Sequence, residues 1–123
     1  PRHWAAMEAA LDPARRRRAS PPDLLDVDRA CHEIIWEAAG NRFLTATLDT
    51  LYAQSDRLWH LYLNGVADTS EAVDEHDAIL DALRAGDADR AGSLVEAHVR
   101  AFDAHIRAAV ARRLASPVAI GGR

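Results

Sequence analysis

An all-α fold, an antiparallel bundle of about five helices with short connections, is what this chain predicts. Three observations carry that expectation. Apolar residues make up 49% of the chain but aromatic residues only 6%, and alanine and leucine dominate over β-branched types, a balance that favours helix over sheet. The apolar residues recur at spacings of three and four, the period of a helix face. The breaks in that pattern fall at Gly, Pro, Ser, Asn and Asp, the residues that start and stop helices.

Each element follows from this punctuation. HWAAMEAAL predicts a short opening helix that stops near Asp12-Pro13, and DPARRRRASPP reads as a loop or a turn broken by prolines. Ser20 with Pro21 begins a second helix that runs to about Ala39, with Gly40 as its terminating residue. Asn41 caps a third, which extends through Leu44, Leu48, Leu51, Leu58 and Tyr62 towards Gly65. NGVADTS is a loop. Ser70 or Thr69 opens a fourth helix through Val73, His76, Ile79, Leu80 and Leu83 to Gly86. Asp87 or its neighbour opens a long fifth, with Ala91, Leu94, Val95, His98, Phe102, His105, Ile106 and Ala109 on one face, and SPVAIGGR is expected to fray. There is no internal repeat and no low-complexity linker, and consecutive helices joined by short turns pack antiparallel.

The 123 residues suffice for one domain with a real core. A net charge of −4 excludes a general basic surface for nucleic acid, and Arg15–Arg18 is the one local basic run. The single cysteine, Cys31, excludes an internal disulfide and leaves the redox compartment undetermined, with a mild preference for a reducing cytoplasm. No apolar run approaches the roughly 20 residues of a membrane span, and no secretory signal is visible. The chain begins at Pro1 without an initiator Met, as a piece of a longer polypeptide would.

The residues with chemistry to explain are Asp28, His32, His76 and His98. Asp28 and His32 stand four apart in DRACHEII, one above the other on a helix face shared with Leu24, Leu25, Cys31 and Ile35. His76 and His98 each interrupt the apolar stripe of a different helix. Metal ligation needs lone-pair donors held about 2 Å from one point, with neutral imidazoles and an ionised carboxylate. Burying Asp28 without a partner is costly, and a cation beside it removes that cost. Taken singly, a histidine on an apolar stripe is more often a hydrogen-bonded core or boundary residue than a ligand, and the Asp28–His32 pair alone is equally a helix-surface hydrogen bond. The pattern therefore leaves ligation and packing both open.

The remaining candidates help to delimit the site. His105 shares the face of His98 but stands roughly 10 Å further along the axis, outside reach of the same ion, where it packs or lines the next layer. His60, in the run Trp59-His60-Leu61-Tyr62, reads as core and rim, and His3 is uninformative. Cys31 points about 100° away from His32, as a small core residue rather than a thiolate ligand.

Two blocks carry a family resemblance. DRACHEIIWEAAGNRFLTATLDTL resembles the D-x-x-F-H…a-a-g-N-x-x-L…L signature of the FCD domain, the ligand-sensing half of FadR-subfamily GntR transcription regulators. EHDAILDALRAGDADRAGSLVEAHV is similar to that family's second block, E-H-x-x-I-x-x-A-i-x-x-G-D-x-x-x-A-x-x-x-x-x-H. The resemblance spans about residues 20 to 110. It implies a bundle with a central metal and effector cavity, and a divalent metal held by Asp28, His32, His76 and His98. It also implies a homodimer, and a small organic acid that binds at or beside the metal and alters operator affinity. Three imidazoles and one carboxylate suit Zn or Ni better than Mg or Ca.

Three residues are candidates for effector contact. Asn41 matches the signature, although capping is its simplest role. Ser55 lies on the inner stripe of the third helix, as a pocket-lining group or a satisfied core hydroxyl, and His105 occupies the layer beyond His98. The chain departs from the family in carrying Cys31 where Phe is usual and in having one opening helix fewer, a helix that often brings an arginine to the pocket. The winged helix-turn-helix that precedes the domain is missing, so the chain looks like a sensor domain separated from its DNA-binding half. By itself it is not expected to bind DNA specifically. Two other readings compete: a metal-dependent hydrolase of the HD kind, from the literal His76-Asp77 dipeptide, and a metal-free helical dimerisation domain.

Overall fold

The structure, a computed structural model, describes residues 2–16, 21–62 and 70–116. Its five helices are α1 (Arg2–Arg16), α2 (Pro21–Ala39), α3 (Arg42–Tyr62), α4 (Ser70–Arg84) and α5 (Ala88–Ala115), with no strand among the described residues. Ser20 and Thr69 as helix starts, the loop over 64–69 and the tail from 117 lie outside them.

Two tight turns set the architecture. Gly40 adopts φ +68° and Gly86 φ +70°, the left-handed conformation that ends a helix without a Cβ penalty. After α4, Gly86 N–H donates to Leu83 O and Asp87 N–H to Ala82 O, a paired closure of the last turn. Asp87 then caps α5 by accepting from Arg90 N–H at 3.0 Å. Asn41 does the same for α3, its Oδ1 accepting from Phe43 and Leu44 N–H, both at 3.1 Å. Each turn folds a helix back on its predecessor, which gives two antiparallel hairpins, α2/α3 and α4/α5. α1 packs on α2 and α4, and α3 closes on α5.

The core has two apolar layers. Met7, Leu11, Cys31, Ile79 and Leu80 form the first, with Ile34, Ile35, Leu94 and Val95 packed around them. Leu25 and Ile106 form the second, with Trp59, Tyr62, Phe102 and Val110. Between these layers α2 carries Asp28 and His32 and α5 carries His98.

Two expectations are corrected. α1 does not stop at Pro13 but runs on to Arg16. Proline removes one hydrogen bond to the preceding turn; burial of Ala14 and ion pairs from Arg15 to Glu8 and Asp77 hold the last turn against α4. Glu8 also pairs with Arg84 at 2.9 Å. α3 is rotated relative to the leucine stripe read from its sequence. Tyr52 is its one fully buried residue among those described, while Phe43, Leu44, Leu51, Leu58 and Leu61 are exposed. The aromatic faces of Tyr52 and Trp59 match Trp36 and Phe102 on the neighbouring helices, and they take the inner side.

Candidate metal centre

Helical periodicity puts Asp28 and His32 one turn apart on α2, and packing of α4 and α5 brings His76 and His98 to the same point. One ligand atom from each of the four lies within 4.8 Å of the others. Asp28 Oδ1 is 2.9 Å from His98 Nε2, 3.0 Å from His76 Nε2 and 3.3 Å from His32 Nε2. His32 Nε2 and His98 Nε2 are 3.3 Å apart. Asp28, His76 and His98 are almost completely buried and His32 is partly so.

The outer ring nitrogens decide what the inner ones present. His76 Nδ1 is 2.5 Å from Ala72 O, which can only accept, so this nitrogen carries the proton. His98 Nδ1–H likewise donates to Glu75 Oε2 at 2.5 Å. With their protons on Nδ1, the neutral rings direct Nε2 lone pairs inward, against each other and against a carboxylate oxygen. His76 Nε2 is accordingly a buried nitrogen with no hydrogen-bond partner. Asp28 Oδ1 and the Nε2 lone pairs of His76 and His98, facing one point, repel unless a cation or a proton stands between them. For bonds of about 2.0–2.1 Å, neighbouring donors around one ion are separated by about 2.9–3.4 Å, which the Asp28 and His32–His98 distances match. The donor set therefore fits a divalent metal, oriented as metal-binding histidines are, by acceptors on the opposite ring nitrogen.

Electrostatics follow from the same crowding. Burial pushes the Asp28 carboxyl upward, but the imidazoles of His32, His76 and His98 outweigh it and hold the group well below the usual carboxylate range. Burial pushes His98 down, and the carboxylates of Asp28 and Glu75 more than reverse this, raising it. Tyr52, whose hydroxyl donates to Asp28 Oδ2 at 2.5 Å, is raised by burial and by the Asp28 charge. Cys31 is pushed up to about 12 by burial and by Asp28, so it remains a thiol inside the apolar layer.

These shifts set the pH response of the metal-free protein. The depressed Asp28 contributes stability that is present above the unfolded carboxyl value and lost as pH falls through its folded value. The raised His98 contributes stability that is present below about pH 6.5 and lost as pH rises through its folded value. Urea denaturation of chelator-treated protein is expected to give its highest midpoint near about pH 5 to 6 and lower ones at about pH 3 and 8. A midpoint unchanged across that range would contradict the assignment.

The structure separates the other candidates from this centre. Asn41 is exposed and its carboxamide oxygen is engaged as the α3 cap. It borders an open surface groove of about 610 Å³ lined by residues that include Glu33, Trp36 and Arg42. Ser55 is half-buried, with its hydroxyl donating to Leu51 O at 3.2 Å. His105 is exposed, because at its level α5 turns Phe102 and Ile106 towards Leu25 and Trp59. His60 is exposed and accounted for by its own turn, with Nδ1 2.8 Å from Asp56 O. Asp77 turns away from His76 and accepts from Arg15 Nε at 2.8 Å. Tyr52 and Glu75 are the contributors that sequence reasoning missed. A tyrosine inside a helix stripe, whose hydroxyl needs a partner once buried, was the available signal for the first.

The fold and the site define an all-α helical bundle that buries a three-histidine, one-carboxylate group able to hold a metal ion. The sequence comparisons place it further: residues 1–101 match the FCD domain, and the chain belongs to that family. It is also 33% identical over 100 residues to the uncharacterised HTH-type transcriptional regulator YieP of Escherichia coli (strain K12), a stretch covering 80% of this chain and 40% of that protein. The chain thus spans less than half the length of the curated relative it matches. No solved structure matches it.

Proposed function

We propose that the chain, as one domain over residues 1–123, is the effector-binding and dimerisation domain of a cytoplasmic GntR-type transcription regulator of the FadR subfamily. Asp28, His32, His76 and His98 hold a divalent metal, zinc or nickel, and a small organic acid binds beside it. The carrying observation is the inward-facing set of Nε2 atoms around Asp28 Oδ1, with His76 Nε2 buried and unpartnered. FCD membership and the likeness to an HTH-type transcriptional regulator support the regulatory role. DNA contact is assigned to a DNA-binding domain outside these residues.

The ion, when bound, supplies positive charge and open coordination positions for a carboxylate. The chain's own residues do the rest. Ala72 O and Glu75 fix the rings of His76 and His98, and the apolar layers on either side exclude water and strengthen every charge interaction between them. His32, the least buried of the four, marks the side by which the acid enters. Asn41 and Ser55, engaged with their own helix, and the exposed His105 are secondary candidates for contact with it. Metal and acid favour one arrangement of the helices, and linkage carries that preference to the DNA-binding part. The reading is of a binding domain rather than an enzyme: an HD-type hydrolase needs Asp77 beside His76, and Asp77 is paired with Arg15.

Elemental analysis after metal supplementation is expected to find about one ion per chain. Carboxylic acids at about 100 times their Kd should add about 2.7 kcal/mol of stability, several degrees in Tm, to the metal-loaded protein and little to the chelated one. No bound metal after supplementation would overturn the proposal.

The dimer is assigned to the outer face of α3. Leu44, Leu51 and Leu58 are spaced by seven and exposed beside Phe43 and Leu61, the period of a helix that packs along another helix. Light scattering at micromolar concentration should give twice the 13.5 kDa of the chain, and Leu51→Lys should shift the population towards monomer without loss of metal. A monomeric wild type would remove the dimer and leave the metal site untouched.

A further inference from the structure

Asp28 has two carboxylate oxygens, and the structure uses them differently. Oδ1 faces the three Nε2 atoms at 2.9, 3.0 and 3.3 Å. Oδ2 points the other way and accepts from the Tyr52 hydroxyl at 2.5 Å. Tyr52 is buried, and its ring is fixed by packing that does not involve the four donors alone. It stands edge-on to Trp59 with centroids 5.1 Å apart, and edge-on to Trp36 at 5.8 Å. The ring of His32 lies 5.6 Å away. The direction of its hydroxyl is therefore set by the aromatic cluster between α2, α3 and α5. A carboxylate free at both oxygens can ligate through either or both; turning both towards a single ion strains the hydrogen bond when the second oxygen is held by a rigid donor, which biases the group to ligation through the first.

We propose that Tyr52 is a positioning residue of the metal centre, whose hydroxyl restricts Asp28 to ligation through Oδ1 and thereby makes α3, which supplies none of the four donors, part of the centre. The inference rests on the metal-site reading above. It has two consequences. A single-oxygen Asp28 leaves one more coordination position for an incoming acid. Any displacement of Asp28 is also passed directly to the helix that carries the exposed Leu44, Leu51 and Leu58.

The test is Tyr52→Phe, which removes one hydroxyl and keeps the ring, titrated with cobalt(II) beside the wild type. Wild-type protein should bind one cobalt per chain. The variant should bind it about tenfold or more weakly, as loss of a group that orients a ligand does. Its visible absorption per cobalt should fall as the second Asp28 oxygen raises the coordination number. If the wild type binds cobalt and the variant matches it in affinity and spectrum, the role of Tyr52 is overturned and the metal site stands. Weaker binding with an unchanged spectrum would mean a merely structural role and would overturn it too. If the wild type binds no cobalt, both readings fall. X-ray absorption on the wild-type cobalt form decides the matter even if the variant does not fold: ligation by one Asp28 oxygen supports the proposal, and ligation by both refutes it.

Discussion

Replacing His98 with alanine is expected to strip the protein of its metal, whereas replacing His105 should leave about one ion per chain. The two residues are seven apart on the same helix and nearly in phase, so a general effect of losing an imidazole from α5 would strike both. Geometry separates them. His98 Nε2 lies 2.9 Å from Asp28 Oδ1 with its other nitrogen held by Glu75, and the side chain is buried. His105 is exposed two turns further on. The His98→Ala protein should also lose the difference between its melting curves with and without chelator, since a ligand that no longer binds contributes no linkage. His105→Ala should keep that difference. Equal metal loss in both variants would break the assignment, and unchanged metal in His98→Ala would leave a packed histidine core in its place.

A comparably large effect is expected from Asp28→Ala in the absence of any metal. In the chelated protein Asp28 is the acceptor that His98 Nε2, once protonated, and the Tyr52 hydroxyl share. Removing it strands a raised-pKa histidine and a tyrosine hydroxyl between two apolar layers, and breaking a buried pair in this way costs roughly 3–5 kcal/mol. Urea denaturation in chelator measures this directly. Asp28→Asn, which keeps an acceptor oxygen without the charge, should fall between wild type and alanine. A loss below about 1 kcal/mol in Asp28→Ala, the scale of an exposed pair, would show that the carboxylate is solvated in the metal-free protein.

Much of this molecule was legible in one dimension because its signals are local. Gly40 and Gly86 end helices since only a residue without Cβ takes their backbone conformation easily, and Asn41 and Asp87 start helices because their side chains reach the free N–H groups of the next turn. Neither effect depends on the rest of the fold. The Asp28–His32 pair is local as well, one turn of helix wide, and the phases of Cys31 against His32 and of His105 against His98 follow from the helical repeat.

What the chain could not show by itself is how the helices turn about their axes when they meet. The leucine row of α3 is as apolar as any core stripe, yet it faces outward, because Tyr52 and Trp59 find aromatic partners on α2 and α5 while Leu44, Leu51 and Leu58 do not. α1 runs through Pro13 because pairs from Arg15 to Glu8 and Asp77 and the buried Ala14 hold a turn that proline weakens. Glu75 reaches His98 across 23 residues and Tyr52 reaches Asp28 across 24. By itself the sequence determined that the chain is helical, where the turns at Gly40-Asn41 and Gly86-Asp87 fall, and which side chains have lone pairs to offer, since these depend on neighbours within a turn or two. Only the tertiary structure decided which faces meet and which groups orient the four donors, because those contacts join residues whose proximity exists only after the helices have packed.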